Sequence, residues 1–119
     1  MRHRVKKHRH LNGKDSSHRK AVIRNLLTGL FTHKSLQTTE KRALAIEPLA
    51  HRLIEVAKGP HTEYNKIRMV SAELFTKEAS VSLLALAQKY SEMKGGYTRI
   101  IPIKYRDGDA AKLVKIELV

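Results

Sequence analysis

Residues 97–118 read YTRIIPIKYRDGDAAKLVKIEL, and this stretch decides the fold class. Apolar residues alternate with other residues on both sides of RDGDAA, which is the period of a β-strand with one buried face. The segment RDGDAA is rich in turn-forming residues, so the stretch predicts a β-hairpin. Pro102 has no N–H to donate to a neighbouring strand, so we expect its strand at a sheet edge or locally irregular.

The hairpin is expected to pack one face against helices. In the first strand this predicted inner face consists of Tyr97, Arg99, Ile101, Ile103 and Tyr105. In the returning strand it consists of Val114, Ile116 and Leu118. Asp107 and Asp109 flank Gly108, where acidic residues favour a turn by accepting hydrogen bonds from the nearby backbone.

Four helices are predicted upstream of the hairpin from apolar residues spaced three and four apart. The first follows Asp15, Ser16 and Ser17, which can cap it, and buries Ile23, Leu26, Leu27, Leu30 and Phe31. The second covers residues 40–58 with Thr39 as its cap, a kink or loose first half at Pro48, and a stop at Gly59-Pro60. The third covers about 62–77, with inner residues Tyr64, Ile67, Val70 or Ser71, Leu74 and Phe75. The fourth covers 80–92, with inner residues Val81, Leu84, Ala85, Ala87 and Gln88.

A short β-prone segment at residues 34–38 adds one strand before the second helix. The fold class is therefore α+β, with about four helices packed on a small three-stranded mixed sheet that ends in a C-terminal hairpin. Residues 15–119 are expected to form a single globular domain. Residues 1–14 are expected to be an extended basic arm, because they show no apolar period.

The charge of the chain is strongly basic and uneven. The 119 residues carry 24 Lys and Arg against 11 Asp and Glu, a net charge of +13. Residues 1–20 hold eight of these cations and one acid, so more than half of the excess lies in the first sixth of the chain. Self-repulsion of this size favours a polyanionic partner.

Several function classes fit poorly. There is no cysteine, which excludes disulfides and zinc–thiolate sites, and no apolar run is long enough to span a membrane. An organelle transit peptide or a nuclear-targeting signal remains an alternative interpretation of the basic start. The sequence contains neither a phosphate-binding glycine loop nor a convergent acid–base pair. It therefore gives no indication of an enzyme, a cofactor or a small-molecule substrate. A metal site at His3, His8 and His10 lacks carboxylate support and is surrounded by cations.

The first helix provides the main argument for RNA binding. His18, Arg19 and Lys20 lie in its first turn, where cations oppose the helix dipole by about 0.3–1 kcal/mol each. A phosphate at the exposed N–H groups of this turn would reverse that penalty. Further cations recur beside turns, so the chain is predicted to bind a large folded polyanion. From the residues alone, candidates include Lys6, Lys7, His8, Arg9, His10, Lys14, Lys20 and Arg106.

The motifs MRHR, HLNG, SSHRKA, SLQTTEKRA, GGYTRI and GDAAKLVKIELV, in this order, resemble the bacterial-type large-subunit ribosomal protein seventeen family over essentially the whole chain. The resemblance implies a structural, non-catalytic constituent of the large ribosomal subunit that binds large-subunit ribosomal RNA and supports translation. It also implies a cytoplasmic ribosome, a solvent-side place near the peptide exit, and contacts with neighbouring subunit proteins including the small protein thirty-two. By position, the implied RNA-facing residues are Arg2, His3, Arg4, Ser16, Ser17, His18, Arg19, Thr38, Thr39, Lys41, Arg42, Gly95, Gly96, Tyr97, Thr98 and Arg99.

The chain departs from the family pattern in the second helix. Family members often have Arg before the helix-two proline, where this chain has Glu47, and they often read KAKE where this chain reads RALA at residues 42–45. Two rival functions share the charge: a free nucleic-acid-binding protein such as an assembly factor, and an enzyme that acts on RNA. Co-sedimentation with large subunits distinguishes the first rival, and a nuclease assay distinguishes the second.

Overall fold

The computed structural model of the chain describes residues 14–119. In chain order the elements are α1 (Ser16–His33), β1 (Ser35–Thr39), α2 (Glu40–Lys58), α3 (Glu63–Glu73), α4 (Lys77–Lys89), β2 (Thr98–Tyr105) and β3 (Lys112–Leu118). Four helices and a three-stranded sheet confirm the predicted α+β class. The arm of residues 1–14 lies almost wholly outside the described residues, so its separation from a domain at 15–119 stays a prediction.

The sheet has the order β1-β3-β2, and both neighbouring pairs are antiparallel. The prediction of a mixed sheet is therefore wrong. The returning strand of the hairpin, β3, lies in the middle and separates β1 from β2, so no two parallel strands are neighbours. β2 lies at an edge, and its register shifts between Pro102 and Lys104. Both features expected of the proline-containing strand are thus confirmed.

The predicted inner face of β2 is wrong by one residue. Val114 and Ile116 of β3 are buried, and their cross-strand partners are Pro102 and Ile100. Because directly paired residues point to the same side of a sheet, Ile100 faces the helices and Ile101 faces away. Ile101 is accordingly exposed, at 37%. Ile103 within the register shift and Tyr105 beyond it are also exposed, at 45% and 67%. Tyr97 is buried, but it precedes β2 and enters the core from the loop.

The core lies between the inner face of the sheet and the helices. α1 contributes Leu27, Leu30 and Phe31, which belong to its predicted stripe. α2 begins at Glu40 and ends at Lys58 as predicted, and it buries a stripe that includes Ile46 and Ile54. The helix is continuous through Pro48, so its first half is not loose, and the alternative of a kink at Pro48 stays a prediction.

The boundary between α3 and α4 lies earlier than predicted. α3 ends at Glu73, and the hydroxyl of Thr76 caps α4 by accepting a hydrogen bond from the Ala79 N–H at 3.2 Å. Of the predicted inner residues, Val70 and Leu74 are buried, which confirms them. Tyr64, Ile67 and Phe75 are exposed, so that part of the prediction is wrong. The buried face of α4 consists of Ala79, Ser80, Leu83, Leu86 and Ala87, and Val81 is exposed. α4 is apolar on several sides, so its sequence does not define a single inner stripe.

None of the described helices has the length and apolar character needed to cross a membrane.

Candidate nucleic-acid interface

The N-terminus of α1 has the geometry of an anion-binding helix end. Asp15 caps it, and its carboxylate accepts a hydrogen bond from the His18 N–H at 2.7 Å. This leaves the N–H groups of Ser16 and Ser17 without an acceptor among residues 14–119. Those two N–H groups are available for an anion.

The side chains around this helix end are basic and accessible. Lys14, Ser16, Ser17, His18 and Lys20 are exposed, and Arg19 is half-buried. The first turn contains no acidic residue apart from the cap. Within the described residues, one terminal nitrogen of Arg19 is buried and has no hydrogen-bond partner. The predicted cations of this turn are thus brought together at the first turn of α1.

The junction between β1 and α2 contains the second group of residues predicted to face RNA. Thr39 is the N-cap residue of α2, but its hydroxyl makes no capping bond and has no hydrogen-bond partner among residues 14–119. Lys41 is exposed and Arg42 is half-buried. Thr38 is a core residue with 9% exposure, so its side chain has little surface to offer.

In the segment 95–99, the two glycines are accessible, whereas Tyr97 and Thr98 support the fold. A Cβ added to Gly95 or Gly96 would meet nothing within 4 Å, and Gly96 has a φ of +69°, which favours glycine. The ring of Tyr97 is only 1% exposed and therefore has no free face for a base. Thr98 donates to Glu47 at 3.0 Å and is 2.9 Å from His51 Nε2. A hydroxyl has a single proton, so His51 is the donor in the second bond.

The buried ring of Tyr97 is held by a hydrogen-bond network that reaches the protein surface at Glu55. Its hydroxyl donates to the Glu55 carboxylate and lies 2.6 Å from Lys58 Nζ, which donates to it. The hydrogen bond from Tyr97 lowers the pKa of Glu55, and the bond between Lys58 and Tyr97 raises the pKa of Lys58. His51 also packs edge-on against the Tyr97 ring, and the two ring centroids are 5.4 Å apart. The role of Tyr97 is to join α2 to the segment before β2.

The two remaining predicted arginines already have acidic partners. Arg99 donates to Glu117 at 2.6 and 2.9 Å, and Arg106 donates to Asp109 at 2.5 and 2.9 Å. The hydrogen bonds from Arg106 lower the pKa of Asp109 to about 2. Asp109 also accepts from the Ala111 N–H, as expected of an acid that serves a turn. Both guanidinium groups remain exposed, but their charges are balanced locally.

The sheet register shows which candidates lie near one another. Leu113 pairs with both Thr39 and Lys104, so the start of α2 and the hairpin turn share one end of the sheet. Glu117 pairs with both Ser35 and Arg99, which places residues 95–99 at the opposite end. The candidates therefore lie at separate places along the sheet, an arrangement that fits an extended polyanion better than a small ligand.

Several cations were missed in the sequence analysis. Lys104 and Lys112 lie beside the predicted residues Lys41 and Arg106, and Lys112 pairs with Glu40 at 3.4 Å. Arg24 follows Lys20 by one helical turn, and this i, i+4 spacing was a signal that the sequence offered. Among the described residues, no group of three or more His, Cys, Asp or Glu side chains could hold a metal ion. His3, His8 and His10, with the other candidates of the arm (Arg2, Arg4, Lys6, Lys7 and Arg9), lie outside the described part.

Comparison with known proteins gives a consistent result. The sequence model of the family described as Ribosomal protein L17 matches residues 22–119. Similar proteins named large ribosomal subunit protein bL17 occur in Neorickettsia sennetsu, 40% identical over 121 residues that cover 100% of both chains, and in Pelobacter propionicus, 39% identical over 100% of this chain and 91% of the relative. A third, from Desulforudis audaxviator, is 39% identical over 90% of this chain and 95% of the relative.

Proposed function

The chain belongs to the ribosomal protein L17 family, and on that premise we propose that it is a structural constituent of the large ribosomal subunit that binds large-subunit ribosomal RNA. The family is one of structural ribosomal proteins, which confirms the expectation of a non-enzymatic protein. Its partners are the ribosomal RNA and neighbouring proteins of the large subunit, among them, by resemblance, the small protein thirty-two. No cofactor is needed for such a role.

The observation that best supports RNA binding is the N-terminus of α1. Ser16 and Ser17 offer N–H groups with no acceptor among the described residues, and Arg19 and Lys20 lie in the same turn. A backbone phosphate here would gain from the helix dipole, from two N–H donors and from two side-chain cations. In the free protein, Asp15 at the cap is the acid at this helix end, and the helical turn itself contains none to balance the two cations.

The proposed interface extends from this turn to residues 1–14 and to the junction at Thr39, Lys41 and Arg42. The openness around Gly95 and Gly96 would allow a phosphate backbone to approach the chain closely. At Thr38, Tyr97 and Thr98 we propose a supporting role, because their side chains are occupied by packing and hydrogen bonds. Arg99 and Arg106 have exposed guanidinium groups that are paired with Glu117 and Asp109. Each would contribute by leaving its acidic partner and binding a phosphate instead.

The proposal is tested by removing residues 1–14, which contain six Lys and Arg and no acid. Each phosphate that a protein neutralises contributes about 0.7–0.9 to the slope of log affinity against log salt. If four to six of the cations meet phosphates, truncation should flatten the slope for large-subunit RNA by roughly three to five units. A truncated chain that stays folded by circular dichroism and keeps the full slope would contradict an RNA-binding arm.

A matched pair of charge reversals tests the α1 end. Arg19→Glu should weaken RNA binding strongly, because it places an acid at the proposed phosphate site. Arg68→Glu makes the same charge change at an exposed position of α3 and controls for the general electrostatic field. Equal losses in the two variants would contradict a phosphate at the helix end. Co-sedimentation of the full chain with large subunits distinguishes a subunit protein from a free RNA-binding protein.

A further inference from the structure

A groove of about 640 Å³ lies beside the first half of α1 and adjoins the helix end described above, with which it shares Ser17 and Lys20. Its walls include Lys20 and Arg24 from α1, Leu49 from α2, and Glu73 and Phe75 from the end of α3. Phe75 was predicted to be a core residue, yet 48% of its surface is exposed. The ring therefore lines the groove next to the side chains of Lys20 and Arg24.

The ring of Phe75 is held in a fixed position over α1. The Phe75 N–H donates to the Thr28 hydroxyl at 3.0 Å, and that hydroxyl donates to the carbonyl of Arg24 at 2.7 Å. The guanidinium carbon of Arg24 lies 4.1 Å from the centroid of the Phe75 ring. The backbone bonds and the guanidinium contact therefore hold the ring of Phe75, which follows α3, against the Arg24 side chain of α1.

The groove favours an anionic occupant. Lys20 and Arg24 line it, Arg19 lies beside it on the same helix, and Glu73 is the acid among the lining residues. Within residues 14–119, Arg24 Nε and one terminal nitrogen of Arg19 are buried without hydrogen-bond partners. The basic residues 1–13 are a poor occupant, because they would bring more cations to a cationic wall.

We propose that this groove binds one unpaired nucleotide of RNA, with its base stacked on the exposed part of the Phe75–Arg24 pair and its phosphate near Lys20 and Arg19. Aromatic rings and arginine planes are the groups on which proteins stack unpaired RNA bases. The inference rests on the proposed RNA-binding function and adds to it a contact to a base. A base contact differs from a phosphate contact because it adds affinity without adding to the salt dependence.

The test measures binding of the full chain to deproteinised large-subunit RNA across a salt series. Phe75→Leu keeps an apolar side chain but removes the aromatic plane, and should lower affinity about 5- to 100-fold at every salt concentration. The slope against salt should not change, because no phosphate contact is lost. Phe75→Tyr retains the plane and should bind within a few-fold of the wild type.

Tyr64→Leu is the matched control, since it removes an aromatic ring that is 76% exposed on α3 and lies outside the groove. It should leave RNA affinity unchanged, and thermal melting should show all three variants folded. The proposal is overturned if Phe75→Leu binds as the wild type does, which is also the result expected if a protein segment occupies the groove. It is equally overturned if Tyr64→Leu loses as much affinity as Phe75→Leu. Failure of the wild-type chain to bind RNA would instead contradict the proposed function.

Discussion

Ile100 of β2 is the cross-strand partner of Ile116 of β3, and this pairing fixes which face of the hairpin meets the helices. Ile116 is fully buried and Ile100 packs against the same core. Ile101, the next residue, pairs with Lys115 on the opposite side of the sheet. Two adjacent isoleucines of one strand therefore have different environments.

The pair provides a direct test of the register. Ile100→Ala should destabilise the fold by about 2 kcal/mol, because it removes apolar volume next to Ile116. Ile101→Ala makes the same chemical change on the outer face and should cost less than about 1 kcal/mol. Urea unfolding followed by circular dichroism measures both. A larger loss for Ile101→Ala would mean that the register is displaced by one residue.

Removing the cap of α1 should destabilise the protein. Asp15→Ala eliminates the carboxylate that accepts the His18 N–H and should cost about 1 kcal/mol of unfolding free energy. Ser16→Ala, at the adjacent exposed position, should change it by less than about 0.5 kcal/mol. Equal thermal midpoints for the two variants would show that the capping bond contributes nothing.

The hairpin turn should resist acid down to low pH. A carboxyl whose pKa is lowered on folding contributes stability that is complete above its unfolded pKa and is lost as the pH falls through the folded pKa. For Asp109 this window extends from about pH 4 down to about pH 2. An NMR titration of its side-chain carboxyl carbon should give a pKa of about 2.

Arg106→Gln supplies the comparison for that titration. The pKa of Asp109 should rise towards its ordinary value, because the hydrogen bonds from Arg106 are the main cause of its lowering. The remaining hydrogen bond from the Ala111 N–H should keep it somewhat below that value. An unchanged pKa in the variant would mean that the Arg106–Asp109 pair does not form in solution.

The network at Tyr97 yields a prediction about both stability and charge. Tyr97→Phe keeps the buried ring but removes the hydroxyl that donates to Glu55 and accepts from Lys58. The pKa of Glu55 should then rise and that of Lys58 should fall, because the hydroxyl is the first cause of each shift. The urea midpoint should fall as well. Tyr105→Phe, on an exposed ring of the hairpin, is the control and should leave both pKa values and the midpoint unchanged.

The sequence by itself determined the kinds and order of the elements and the basic character of the chain. Apolar spacing at three and four predicted the helices, and Thr39, Gly59 and Pro60 predicted the bounds of α2, because caps and helix stops act through neighbouring residues. Alternation and the turn residues near Gly108 predicted the hairpin for the same reason. The cations at the start of α1 were equally visible, since charge is a property of composition.

Only the tertiary structure decided which faces are buried and what lies beside them. Both faces of β2 carry isoleucine and several sides of α4 carry leucine, so periodicity alone could not select the inner side; pairing with β3 and packing against α1 and α2 select it. Strand order, the burial of Tyr97 and the exposure of Phe75 beside Arg24 depend on residues distant in sequence. Local propensity identifies an element, but the direction in which its side chains point is set by long-range contacts that exist only once the chain has folded.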